Sequence, residues 1–123
     1  MARLLVVDDD TAVRERVYDA FSGKGHEVLA ASSGPQFFEL LKTQRADVIL
    51  IDLSMPKTPG TELAKKLRTL DDDVPVVLLR GPADPEPTAE DKASIQYRAV
   101  VLKEPPEAML AGIEEVLKQL KPS

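Results

Sequence analysis

Four aspartates in this chain directly follow runs of aliphatic residues, in the pattern that brings polar side chains to one edge of a parallel sheet. Asp8, Asp9 and Asp10 follow the first run, and Asp52 follows the run at 48 to 51. Ligands of open α/β sheets bind at this carboxyl edge. Carboxylates ~4 Å apart repel by about 4 kcal/mol per pair at an effective dielectric of ~20. The pattern therefore predicts a cation at this edge, specifically a hard divalent metal that takes oxygen ligands.

Five aliphatic runs alternate with amphipathic stretches, and these elements must position the aspartates. This rhythm predicts an α/β fold with a doubly wound, five-stranded parallel sheet between helices on both faces, in three layers. The predicted strands are Arg3 to Asp8, His26 to Ala31, Asp47 to Asp52, Val74 to Leu79 and Arg98 to Lys103.

Capping residues predict where the first two helices begin. Asp10 is predicted to be the N-cap of the first helix rather than a metal ligand, because aspartate is a preferred residue at that position. Ser33 with Gln36 predicts a capping box for the second helix, which is expected to run to about Thr43 with Pro35 in its first turn.

The remaining three helices are predicted from glycine, proline and helical periodicity. The third is expected to open at Gly60 and to stop before a solvated turn at residues 71 to 73. The fourth is expected to be short and late, since prolines exclude a regular helix before about Thr88. The last is expected to carry Pro105 and Pro106 in its first turn.

Length and composition predict one domain over residues 1–123 and exclude several classes of site. The absence of cysteine excludes disulfides and thiolate sites, and His26 alone cannot build an imidazole cluster. A net charge of −5 argues against direct nucleic-acid binding by this domain. No signal peptide or membrane span is evident, so a cytoplasmic location without membrane contact is predicted. The domain is expected either to end at Lys121-Pro122-Ser123 or to be the N-terminal part of a longer protein.

The chain resembles the receiver domain of a two-component response regulator over essentially its whole length. The motifs behind the resemblance are LLVVDDD at 4 to 10, DVILIDLSMP at 47 to 56, Gly60 with Glu62-Leu63, and Lys103 at the end of the fifth strand. It implies a flavodoxin-like (βα)5 fold and a phosphoacceptor signalling domain. Such a domain is not an enzyme on other substrates, but it takes part in its own phosphoryl transfer and dephosphorylation.

Roles for individual residues follow from the same resemblance. In the family an acid pair ends the first strand, an aspartate ending the third strand accepts phosphate, and a lysine ends the fifth. Those positions are Asp8 and Asp9, Asp52, and Lys103 in this chain. The implied cofactor is Mg²⁺, held by Asp9, Asp52 and the backbone carbonyl of Ser54, with Asp8 acting through water.

The resemblance also implies partners. The phosphoryl donor is expected to be a histidine kinase or a histidine phosphotransfer protein. Phosphorylation is expected to change contacts with a downstream output domain or protein. Homodimer formation is left open by the sequence.

Three positions depart from the family pattern and predict an atypical receiver. The fourth strand normally ends in a serine or threonine, and Arg80 stands there instead; it could clamp a phosphoryl oxygen, pair with Asp52 when phosphate is absent, or turn outward into solvent. The usual aromatic residue of the fifth strand is replaced by Val100. Glu104 separates Lys103 from the following proline, which moves any cis peptide of this loop to Glu104-Pro105.

Two other functional classes compete with the phosphoacceptor hypothesis. One is a pseudo-receiver that keeps the fold and binds partners irrespective of phosphate, a reading favoured by Arg80 and Val100. The other is an aspartate-nucleophile phosphohydrolase of the haloacid dehalogenase type, suggested by the order of residues 8 to 12. Ala12 occupies a position that needs Thr or Val in that signature, and the motif around Asp52 would be unexplained.

Overall fold

The computed structural model describes residues 1–70 and 73–120. Part of the turn predicted at residues 71 to 73 therefore lies outside the described residues. So do residues 121 to 123, where the sequence leaves open whether the protein ends or continues. The elements in chain order are β1 (Arg3–Val7), α1 (Thr11–Ser22), β2 (Glu27–Ala31), α2 (Gly34–Leu41), β3 (Val48–Asp52), α3 (Gly60–Thr69), β4 (Val76–Arg80), α4 (Ala89–Ile95), β5 (Ala99–Leu102) and α5 (Pro106–Gln119).

The five strands form one parallel sheet in the order β2-β1-β3-β4-β5, which confirms the predicted doubly wound α/β fold. Helices α1 and α5 cover one face of the sheet, where Phe21 and Ile113 are fully buried. Helices α2, α3 and α4 cover the other face through Phe37, Leu67 and Ile95. Among the described residues no helix combines the length and apolar character needed to cross a bilayer.

The strand limits differ from the predicted ones by one or two residues, mostly at proline and at turns into helices. Strand β4 begins at Val76 rather than Val74, because Pro75 has no N–H to donate to the sheet. Its carboxyl end extends to Arg80, whose carbonyl accepts from the N–H of Lys103 at 2.9 Å. Asp8 follows β1 instead of ending it, although its N–H still donates to Ala31.

The predicted capping box of α2 is only half correct. Ser33 is the N-cap, and its side chain accepts from the N–H of Gln36 at 3.3 Å. The side-chain oxygen of Gln36, however, accepts from both the N–H and the hydroxyl of Ser32, and these two donors displace the expected bond to the backbone of Ser33. The helix ends at Leu41, two residues before the predicted Thr43.

Helix α4 is short and late, as predicted. It has seven residues and begins after Thr88, which forms a capping box with Asp91. Gln96 ends it in a left-handed conformation with φ of 55°. Two apolar side chains are exposed on the edge strand β5, Val100 to 36% and Leu102 to 49%.

Candidate functional site

Sheet register brings the predicted acidic residues together. Strands β1 and β3 are neighbours with Val7 opposite Ile51, so the next residues, Asp8 and Asp52, lie side by side at the carboxyl edge. Lys103 follows the last residue of β5 and reaches the same edge from the other side of β4. One edge thus carries an acid pair and a base from strands far apart in sequence.

Asp52 is held by three hydrogen bonds that all reach the same carboxylate oxygen. Its side chain is almost fully buried, and Lys103 Nζ donates to Oδ1 at 2.8 Å. The backbone N–H and hydroxyl of Ser54 also donate to Oδ1, at 3.1 and 3.2 Å. Oδ2 of Asp52 takes part in none of these three bonds, so it is the oxygen more open to a ligand.

The three carboxylates of Asp8, Asp9 and Asp52 fit a divalent cation. One oxygen from each lies within 4.8 Å of the others. Asp8 is fully buried, and its Oδ1 accepts from the N–H of Asp10 at 2.9 Å. Its Oδ2 has no hydrogen-bond partner among the described residues and lies 3.6 Å from Lys103 Nζ. A buried carboxylate oxygen in this condition has a strong electrostatic reason to contact a metal or a metal-bound water.

The two buried aspartates have opposite protonation tendencies. Burial raises the pKa of Asp8 to about 7. The hydrogen bond from the Asp10 N–H acts to lower this pKa, whereas the nearby charge of Asp52 acts to raise it. Burial also acts to raise the pKa of Asp52, but the hydrogen bonds from Lys103 and Ser54 outweigh it and place that pKa below its ordinary value. Asp52 is therefore ionised at neutral pH, as a carboxylate nucleophile must be.

The raised pKa of Asp8 predicts a pH-dependent stability in metal-free protein. Between about pH 4 and pH 7 the unfolded chain loses a proton that folded Asp8 keeps, so a rise in pH favours unfolding in this window. Asp8→Asn is expected to remove this effect. The free energy of unfolding of Asp8→Asn minus that of the parent should therefore be larger at pH 8 than at pH 4.5, by on the order of 1 to 3 kcal/mol.

Urea unfolding in the presence of a chelator measures this difference. Asp10→Asn is the matched control, because it removes one charge nearby while asparagine still caps α1. Equal pH slopes for the parent and Asp8→Asn would contradict the assignment.

Arg80 does not pair with Asp52, so one of its three predicted roles is wrong for the phosphate-free protein. It is the last residue of β4 and half-buried, and its Nε donates to the backbone carbonyl of Asp84 at 3.0 Å. The Arg80 side chain therefore binds the loop that follows β4 and is not fully exposed to solvent. Lys103 donates to the carboxylate with which Arg80 would have paired in that role.

Other sequence-based expectations near the site are confirmed. Asp10 caps α1 through a 2.9 Å bond from the N–H of Ala12. The peptide bond between Glu104 and Pro105 is cis, at the displaced position predicted for it.

Three features of the site were not predicted. Gly60 lies so close to β3 that a Cβ there would be 2.1 Å from the carbonyl oxygen of Asp52. Arg14 reaches back from α1 to donate to the carbonyl of Asp8 at 2.7 Å. The carboxylate of Asp84 accepts from the N–H of Gly81 at 2.7 Å. Gly60 is part of the motif with Glu62-Leu63, which was the available sequence signal. The other two contacts depend on loop geometry that the sequence pattern does not encode.

Comparisons with known proteins agree with this geometry. The family described as "Response regulator receiver domain" matches residues 4–114. Response regulator MprA of Mycobacterium leprae is 33% identical over 128 aligned residues, covering 98% of this chain and 53% of the relative. MprA of Mycobacterium bovis is 32% identical, with 98% and 52% covered. The chain thus spans about half the length of these relatives.

Solved structures show the same fold. The Francisella response regulator 1452 receiver domain has a TM-score of 0.80 and 26% identity, covering 98% of this chain and all of that one. Chemotaxis protein CheY4 of Vibrio cholerae has a TM-score of 0.81 and 26% identity, covering 94% and 98%. A Thermotoga maritima regulator, TrrA, solved in complex with Mg²⁺ and BeF, has a TM-score of 0.76 and 23% identity, covering 98% and 100%. The phosphohydrolase reading receives no support from these matches.

Proposed function

This chain belongs to the response regulator receiver domain family of two-component signalling, and from that premise we propose that Asp52 accepts a phosphoryl group in a reaction that requires Mg²⁺. The observation that carries the proposal is the state of the Asp52 side chain. It is an ionised, buried carboxylate whose Oδ1 accepts from Lys103 and Ser54, which leaves Oδ2 outside these three hydrogen bonds. Asp8 and Asp9 stand beside it.

The proposed reaction is in-line displacement at phosphorus. A carboxylate oxygen of Asp52 attacks a phosphohistidine of the donor, the P–O bond forms as the P–N bond breaks, and the imidazole leaves with the bonding pair and takes a proton from solvent. The ammonium of Lys103, now 2.8 Å from Oδ1, would exchange the carboxylate for a phosphoryl oxygen. Water later cleaves the acyl phosphate and restores Asp52, so the domain returns to its starting state.

The residues proposed to hold Mg²⁺ are Asp9, Asp52 and the backbone carbonyl of Ser54, with Asp8 acting through a metal-bound water. Magnesium favours such a set, because it takes six oxygens and keeps several waters. The metal would neutralise the negative charge that the incoming phosphoryl group adds to this acidic edge. The buried, unpartnered Oδ2 of Asp8 is the feature of this chain that most favours a water-mediated role.

Binding of beryllofluoride, which mimics a phosphoryl group on a carboxylate, tests this proposal. With Mg²⁺ present, amide resonances of Asp52, Ser54 and Lys103 are expected to shift on titration with beryllofluoride. The same titration in a chelator, or with Asp52→Asn, should leave them unchanged. Absence of binding in the parent with Mg²⁺ would overturn the proposal.

We further propose that the readout of phosphorylation is atypical. Arg80 has no hydroxyl to turn toward a phosphoryl oxygen, and Val100 has no ring to rotate. Both positions belong to the surface around β4 and β5, where the apolar side chains of Val100 and Leu102 are exposed. A different device must therefore link the acidic edge to this surface.

Arg80→Thr tests the role of the unusual residue. It is expected to change the half-life of the phosphoryl group or partner affinity at least about threefold. It should change the free energy of unfolding by less than about 1 kcal/mol, because only the 3.0 Å bond to the Asp84 carbonyl is lost. Arg16→Thr, at an exposed position on α1, is the matched control for charge. A variant with parental half-life and partner affinity but much lower stability would contradict this role.

The donor is proposed to be a histidine kinase or a histidine phosphotransfer protein, and the output a further domain or a separate protein. Support comes from the family and from the MprA relatives, of which the chain spans about half. Residues 1–123 are proposed to act as one receiver domain within that arrangement.

A second candidate is a pseudo-receiver whose partner contacts are independent of phosphate. The observation that favours it is the loss of both usual readout residues, at Arg80 and Val100. Partner affinity measured with and without beryllofluoride separates the two functions. A change in affinity supports phosphate-dependent signalling, whereas equal affinities in a protein that binds beryllofluoride support the pseudo-receiver.

A further inference from the structure

The side chain of Arg14 folds back from the start of α1 onto the loop that carries the acid pair. Its Nη1 donates to the backbone carbonyl of Asp8 at 2.7 Å, and its Nη2 donates to the hydroxyl of Thr11 at 3.1 Å. Arg14 is partly buried and follows Val13, which is buried in the core. The guanidinium is therefore a fixed link between α1 and the loop that precedes it.

This link completes the restraint on the backbone of Asp8. The N–H of Asp8 donates to the carbonyl of Ala31 in β2 at 3.1 Å, and Arg14 holds the carbonyl on the other side of its Cα. The bond from Arg14 has a charged donor and belongs to the stronger class of hydrogen bonds. The restrained carbonyl is part of the planar peptide group that joins Asp8 to Asp9. Arg14 therefore fixes the peptide between the two carboxylates of the acid pair.

The two carboxylates depend on this peptide to different degrees. Asp8 is fully buried, and its Oδ1 also accepts from the N–H of Asp10, so packing holds its side chain. Asp9 is exposed, so the position of its carboxylate depends on its backbone. One oxygen from each of Asp8, Asp9 and Asp52 lies within 4.8 Å of the others. Because Mg²⁺ requires near-octahedral geometry, a rotation of the Asp8–Asp9 peptide would spoil this set.

We propose that Arg14 is a positioning residue, which places the Asp9 carboxylate for Mg²⁺ binding by holding the backbone carbonyl of Asp8. The inference rests on the proposed function and adds to that site a residue that does not itself contact the metal. Its hydrogen bonds to Asp8 and Thr11 carry the effect, and its charge does not.

The direction of the change in Mg²⁺ affinity separates positioning from charge. A guanidinium near the acidic edge repels a cation there, so the loss of its charge alone would strengthen Mg²⁺ binding. Loss of positioning would weaken Mg²⁺ binding instead. A variant of Arg14 without charge or donors therefore gives opposite results under the two explanations.

The test measures Mg²⁺ dissociation constants from the shifts of backbone amides during titration of the folded protein. Arg14→Met is expected to raise the dissociation constant about tenfold, at the lower end of the effect of residues that orient metal ligands. Thr11→Val keeps every charge but removes one bond to the guanidinium, and a rise of about threefold is expected. Arg16→Met is the matched control, because it removes the same charge from an exposed position on α1 and should stay within about twofold of the parent.

A dissociation constant of Arg14→Met equal to or below that of the parent would overturn the inference while leaving the phosphoacceptor proposal intact. If Arg14→Met does not fold, Thr11→Val decides by the same criterion. Failure of the parent itself to bind Mg²⁺ would overturn both proposals.

Discussion

Replacement of Asp52 by asparagine is expected to abolish phosphoryl uptake. The amide retains the size of the side chain and can still accept from Lys103 and Ser54, but it has no carboxylate oxygen able to attack phosphorus. The expected loss of the initial rate of phosphoryl incorporation exceeds about 1,000-fold, since a covalent acceptor is removed rather than weakened. Retardation on a phosphate-affinity gel after incubation with acetyl phosphate and Mg²⁺ measures that rate.

Asp10→Asn is the matched control for this experiment. It removes a carboxylate from the same edge of the sheet but preserves the N-cap of α1, so uptake within about threefold of the parent is expected. Parental uptake by Asp52→Asn would place the acceptor elsewhere and contradict the proposed chemistry.

Replacement of Gly60 by alanine is expected to cause the largest loss of stability among these variants. The new Cβ would lie 2.1 Å from the carbonyl oxygen of Asp52 and 2.9 Å from the Cα of Leu53, and backbone atoms at the end of a central strand cannot yield as a flexible side chain can. The expected decrease in the free energy of unfolding is about 2 to 4 kcal/mol. Urea denaturation of the variant and parent measures it.

Gly23→Ala is the matched control. Gly23 lies at the end of α1 with φ of −65°, which alanine adopts freely, and its Cβ would be no closer than 3.2 Å to a neighbouring atom. A change of less than about 1 kcal/mol is expected there. If Gly60→Ala were as stable as Gly23→Ala, the close approach of α3 to β3 would be refuted.

The sequence was sufficient to predict the acidic edge, because parallel strands place their last polar residues together. Asp8, Asp52 and Lys103 follow three buried aliphatic runs. Right-handed crossover connections make these runs parallel strands of one sheet, so the three side chains reach the same edge. The local cap at Asp10 and the cis bond at Glu104-Pro105 were also predictable, since both depend on adjacent residues.

Contacts decided by loop geometry were not predictable in the same way. For Arg80 the sequence left three roles open, and the loop of residues 81–88 bears on them by giving the guanidinium an acceptor in the Asp84 carbonyl. In the same turn the Asp84 carboxylate accepts from the N–H of Gly81, although proline spacing alone indicates only that a regular helix is excluded. Gln36 illustrates the same limit, because two donors on Ser32 compete for its side chain.

Phosphorylation of Asp52 is expected to require Mg²⁺ because of the charges around this carboxylate. Asp52 supplies the nucleophile, while the orphaned oxygen of Asp8 and the carboxylate of Asp9 explain why a cation is needed before more negative charge can enter. Lys103 alone already serves two carboxylates, at 2.8 and 3.6 Å. A metal-independent receiver of this sequence would therefore leave its acidic edge without adequate compensation.

Magnesium-dependent phosphorylation is tested by the intact mass of the protein after incubation with acetyl phosphate, with Mg²⁺ and separately with a chelator. A gain of one phosphoryl group is expected with Mg²⁺, and no gain is expected with the chelator. Equal gain under both conditions, or no gain with Mg²⁺ from acetyl phosphate or from a phosphorylated histidine kinase, would contradict it.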